Sequence, residues 1–162
     1  MAGYLQIGDI KGEAQDKNHK EWINLLSVSQ GVSRPMAAGA SGSTRQRASA
    51  TLGDIVCVKE MDSSSAKLIQ AVCDGKNFET VKIDLVTSTG DDSRKPYFCW
   101  ELKNVRVTQY DVSGATQGGA VPTESISLNY EQIKWTYDKM GKDGKSQGKV
   151  DAGWDVEEGK SI

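Results

Sequence analysis

The chain has 162 residues, enough for one domain with its own core, and 20 basic against 22 acidic side chains leave a net charge of −2. So balanced a charge supplies no general attraction to phosphate backbones or anionic lipid, which argues against nucleic acid as a partner. No window approaches 18 consecutive apolar residues, which argues against a membrane-inserted helix, and residues 1–17 contain no basic-then-apolar pattern of a cleavable signal.

Tyr4-Leu5-Gln6-Ile7 reads as a short strand ending at Gly8, and Asp9 to Lys20 is a polar loop. Trp22 to Gln30 alternates, with Trp22, Leu26 and Val28 on one side and Ile23, Leu25, Ser27 and Ser29 on the other. The second side changes from apolar to small hydroxyl along its length, as in a sheet only partly wetted. Residues 31–49 have no periodicity. They are built from small residues, with Pro35, Met36 and three arginines, Arg34, Arg45 and Arg47, and no acid. A loop this long is either a functional arm or a loose insertion.

Thr51 to Glu60 returns to a strand pattern in which Ile55, Cys57 and Lys59 share one side. A helix of about three turns follows, with cap candidates Asp62 to Ser65, apolar Leu68, Ile69 and Val72, and Gly75 as its left-handed stop. Strands are predicted over Glu79 to Ser88, Tyr97 to Val112 with a bulge at Lys103-Asn104, Thr123 to Tyr137 and Gly153 to Val156. Gly90-Asp91-Asp92, the glycine-rich 114–122 and 139–148 supply turns. The predicted fold is mainly β, a closed barrel or two packed antiparallel sheets, with one flanking α-helix and a long extended loop, as a single domain over 1–162.

Signals for chemistry are few. Cys57, Cys73 and Cys99 form no metal-ligand spacing, lie in apolar-rich segments and read as small hydrophobes. The single histidine, His19, reads as a turn-stabilising or surface residue, and Glu101, Asp111 and Glu124 as a polar outer face. No nucleophile, zinc-protease or phosphate-loop motif is present, so no catalytic residue, cofactor or metal is assigned and an enzyme is not expected. A monomeric carbohydrate-binding β-sandwich using Trp135, Tyr137 or Trp154 remains as an alternative.

Several runs, in order along nearly the whole chain, resemble the haemolysin-coregulated protein (Hcp) family, the tube subunits of type VI secretion systems. They are Ile7-Gly8-Asp9-Ile10-Lys11-Gly12-Glu13 with Asp16 and His19, Ser27-Val28-Ser29-Gln30-Gly31, and Met61 through Leu68 to Gly75-Lys76. Leu102 to Val107, Pro122 to Tyr130 and Gly153-Trp154-Asp155 complete the set. The resemblance implies a β-barrel with a flanking helix in homo-hexameric rings, stacked into a tube that a contractile sheath expels with a spike protein at its tip. It further implies a lumen that holds small effectors, assembly in the cytoplasm, and exit through the type VI system without a signal peptide. The 31–49 segment resembles the family's extended loop toward an adjoining ring, making Arg34, Pro35, Met36, Arg45 and Arg47 candidate ring-stacking residues. Ser27 and Ser29 are the candidate lumen and effector positions, although parity alone allows an outer solvated face equally well. The chain departs from the family at Gln30, where an aromatic is common, and at Val28, which is smaller than usual.

Overall fold

The structure is a computed structural model that describes residues 1–36, 38–39, 41–43, 49–87 and 95–162. Its strands are β1 (Ala2–Ile7), β2 (Ile23–Leu25), β3 (Ser27–Ser29), β4 (Val32–Ser33), β5 (Thr51–Leu52) and β6 (Ile55–Glu60). The helix α1 (Ser65–Asp74) follows, then β7 (Asn77–Val86), β8 (Pro96–Ser113), β9 (Thr123–Asn129), β10 (Gln132–Met140), β11 (Ser146–Asp155) and β12 (Lys160–Ser161). The expected turn at Gly90-Asp91-Asp92 lies outside the described residues.

One large antiparallel sheet bends round on itself, and β4 and β5 form a separate two-strand ribbon. In one wall the order is β12-β11-β10-β8-β7-β1-β2. In the other, β3 pairs with β6, β6 with β9, and β9 with the second half of β8. The 18-residue β8 therefore belongs to both walls, passing from β10 over Phe98–Lys103 to β9 over Arg106–Ser113. On the opposite side the walls meet where β2 runs into β3 through the single residue Leu26, whose N–H donates to the Val58 carbonyl at 2.7 Å.

That junction explains the changing face of residues 22–30. Ile23 and Leu25 point inward against β1, then the chain kinks at Leu26, and Val28 points inward against β6. Leu26, expected on the same side as Val28, is 58% exposed. The interior holds Leu5, Ile23, Ile83, Leu102, Ile126 and Leu128, all fully buried. Each such side chain contributes roughly 1.5–3 kcal/mol relative to its exposed state.

α1 lies against β8 and inserts Leu68 and Ala71, while Ile69 stays largely exposed. Gly75 ends it at φ 64 with its N–H on the Ala71 carbonyl, as the sequence predicts. The serine at the N-cap, Ser64, makes no side-chain cap bond. Asp62 instead accepts the Ser64 N–H at 2.9 Å, and the Ser65 hydroxyl accepts the Asp62 N–H at 3.0 Å. The predicted bulge shifts: Asn104 does take a left-handed φ of 51, but the ladder slips between Val107 and Gln109.

Residues 8–22 cover the outer side of β1 and β7. Gly12 sits so tightly there that a Cβ would meet the Trp22 carbonyl at 2.5 Å. His19 is 2% exposed, stacked on Tyr4 at 4.5 Å and met edgewise by Trp22 at 4.8 Å. Its Nδ1 lies 2.7 Å from Asp16 and its Nε2 2.9 Å from Asp84, so each ring nitrogen meets a carboxyl group. It does stabilise the turn, but it is not a surface residue.

Candidate functional site: the assembly surfaces

The two walls present outward faces of different chemistry. On the β3–β6–β9–β8 wall, Val28, Cys57, Ile126 and Tyr110 form one cross-strand row toward the core. The neighbouring rows face out: Ser27–Val58–Ser125–Asp111 and Ser29–Val56–Ser127–Gln109. Ser27 and Ser29 are thus exposed members of a ladder of small hydroxyls and valines. The β1–β7–β8–β10–β11 wall instead carries charges outward. Lys134 pairs with Asp151 at 2.7 Å and holds that carboxyl below its usual range, and Lys103 pairs with Glu101 at 3.3 Å.

A third surface is apolar. In the cross-strand row Leu25–Gly3–Leu85–Phe98–Tyr137–Val150 one end emerges from the core, Tyr137 being 46% and Val150 70% exposed. Beside it, Met1, Ala2, Leu25, Leu26, Val28 and Leu85 line an open groove.

Above this row Gln30, at the end of β3, joins three side chains. Its Oε1 accepts the indole N–H groups of Trp100 and Trp135, each at 3.0 Å, and its Nε2 donates to the Tyr130 hydroxyl at 3.0 Å. Tyr130 in turn donates to the Gly53 carbonyl at 2.9 Å. Burial lifts the Tyr130 phenol above its ordinary pKa, against the opposing bond from Gln30. Gly31 and Gly53, linked by an N–H···O bond of 2.9 Å, open and close the 31–49 arm. The β4–β5 ribbon continues it for two residue pairs, with Leu52 packed on the core and Arg34, Pro35 and Met36 exposed beyond. Arg45 and Arg47 lie outside the described residues, so the structure does not bring the five arm candidates together.

Lys59 and Glu124 are fully buried, and Glu124 is not on a polar outer face as its sequence context had implied. Lys59 Nζ meets Glu124 Oε2 at 2.6 Å and Asp62 at 2.9 Å, and donates to the Glu60 carbonyl at 2.8 Å. The Ser65 and Tyr110 hydroxyls also donate to Glu124, so each buried oxygen is satisfied. This closed network ties the start of α1 to three strands and leaves no group free for chemistry. Its sequence signal was parity, because Lys59 aligns with Ile55 and Cys57, and Glu124 with Ile126 and Leu128. Trp135 and Trp154, candidates for a sugar platform, are half-buried against the core, which leaves Tyr137 as the exposed ring.

A family model described as "Type VI secretion system effector, Hcp" matches residues 4–137. Protein hcp1 of Pseudomonas aeruginosa is 30% identical over 154 residues, spanning 94% of this chain and 93% of that protein. A solved structure of a type six secretion system protein superposes with a TM-score of 0.90 at 30% identity, covering 99% of both chains. Hcp1 from Salmonella typhimurium shares the fold, with a TM-score of 0.80 at 21% identity over 99% of this chain and 98% of that one. Fold and similarity together define a structural protein of a type VI secretion system. The chain belongs to the Hcp family of tube subunits, whose members are secreted through that system. None of these similarities supports the carbohydrate-binding alternative.

Proposed function

We propose that six copies of this chain close into a ring and that rings stack into the inner tube of a type VI system, which a contractile sheath expels behind a spike protein. The observation that carries this reading is the division of one protomer into three unlike surfaces. A tube subunit needs an unobstructed inner face, and the Ser27–Val58–Ser125 and Ser29–Val56–Ser127 ladders offer one with small side chains. It needs a lateral contact, for which the row ending at Tyr137 and Val150 is apolar and exposed. It needs an axial contact, for which the β4–β5 ribbon leads into the 31–49 arm.

Ring closure by rotation and open stacking along the axis are both heterologous contacts, so unlike surfaces on one chain are what such an assembly uses. In this reading Ser27 and Ser29 face the lumen and meet small effector proteins, and Arg34, Pro35, Met36, Arg45 and Arg47 act between rings. In this reading the protein assembles in the cytoplasm and leaves through the type VI system. Light scattering after gel filtration, with negative-stain images of the same peak, tests it. A mass near six subunits and annular particles is the expected result, and a clean monomer at high concentration would overturn the ring.

A further inference from the structure

We propose that Gln30 is a positioning residue for tube assembly: its side-chain amide clasps both ends of the 31–49 arm to the barrel wall and thereby sets the arm's direction toward an adjoining ring. The inference rests on the tube reading above. Gln30 is itself the last residue before the outgoing end at Gly31, and through Tyr130 it reaches the carbonyl of Gly53 at the returning end. Among the described residues the arm's own stem is the pairs Val32–Leu52 and Ser33–Thr51 with the Gly53–Gly31 backbone bond at its foot, and a ribbon that short does not hold a direction by itself. What fixes it against the barrel is Leu52 on the core, together with the Gln30 relay to β8, β10 and the β9–β10 turn.

The chemistry selects glutamine. The carboxamide oxygen has two lone pairs, and the facing tryptophans Trp100 and Trp135 supply two indole N–H donors that can point only at an acceptor. That fixes the amide's orientation and aims its NH2 at the Tyr130 oxygen, which keeps the phenol hydrogen free for Gly53. A carboxylate here would satisfy both indoles but draw the phenol hydrogen to itself, releasing Gly53. An aromatic side chain would leave both indoles without their acceptor. Only the amide links the aromatic wall to the arm in one direction.

Two variants separate this role from simple packing, because both leave the indoles bonded: Gln30→Glu and Tyr130→Phe. Hydrogen exchange on the full chain reads the arm root, in peptides spanning 30–36 and 50–54, against β1 and β7 as internal reference. Root exchange is expected to rise at least tenfold in both variants with β1 and β7 unchanged, ring mass retained, and the yield of tubes by sedimentation down at least tenfold. Unchanged root exchange in both variants would overturn the clasp. Faster root exchange with undiminished tubes would overturn its role in assembly. Absence of rings in the unsubstituted protein would instead defeat the tube reading, while the exchange comparison would still decide whether the clasp exists.

Discussion

Lys59 and Glu124 stand at the ends of β6 and β9, where strand parity turns both side chains inward beside aliphatic neighbours. Replacing Lys59 by Met should leave the buried Glu124 carboxylate, and the partly exposed Asp62 beside it, without their cation. The expected cost is about 3–5 kcal/mol in urea unfolding, the usual penalty for breaking a buried pair from one side. A loss below about 1 kcal/mol would mean that water reaches the cluster. The thiols give a pH-dependent test. Burial pushes Cys57, and burial with the neighbouring Asp84 pushes Cys99, from 9.0 up to about 12. Between those values the unfolded chain has lost protons that the folded chain keeps, so stability falls as pH rises. Melting temperature should therefore decline above about pH 9, and Cys57→Val should flatten that decline; an equal slope in the variant would remove Cys57 as its cause. Composition hid these roles, since a lone glutamate or histidine in a polar stretch reads as surface. What buries Glu124 and His19 is a distant partner, Lys59 in one case and Asp84 in the other.

At the scale of elements, the helix with its Gly75 stop and most strands were legible because their periodicity and caps are local signals. Two features were not. The segment 22–30 reads as one strand, but its inward face changes at Leu26 because it leaves one wall for the other, which no local pattern records. Likewise Tyr97 to Val112 reads as a long strand without revealing that its partner changes from β10 to β9. The arm was visible as a stretch without periodicity, yet the relay from Gln30 to Gly53 joins residues far apart in sequence. The arm's charge carries its own prediction. The acidic segment Asp151 to Ile162 is a candidate counterpart for its arginines, although Asp151 is held by Lys134 and Glu158 by Lys160, which leaves less charge available there. Replacing Arg34, Arg45 and Arg47 by Glu should reduce ring stacking and remove most of its dependence on salt, followed by sedimentation at low and high ionic strength. Stacking indifferent to the triple change would exclude the charge mechanism.

For the whole molecule, the decisive question is which surface would close the proposed ring. Tyr137 and Val150 lie at the open end of an apolar row and support little of the core. Tyr137→Asp with Val150→Asp should convert rings to monomers while melting stays within a few degrees, because exposed substitutions away from the core cost roughly 0.5 kcal/mol or less. Rings that survive the double change would place the lateral contact elsewhere.

One arm per protomer also has a directional consequence. It leaves the sheet through a root at Gly31 and Gly53, so the two flat sides of a ring built as proposed would not be equivalent. In the proposed tube, rings joined by such arms would all point the same way, giving it a head and a tail. One end displays arms awaiting a receiver, and the other displays receivers awaiting arms. In such a tube a cap shaped for one end would not seal the other, and growth and launching would each be confined to a fixed end.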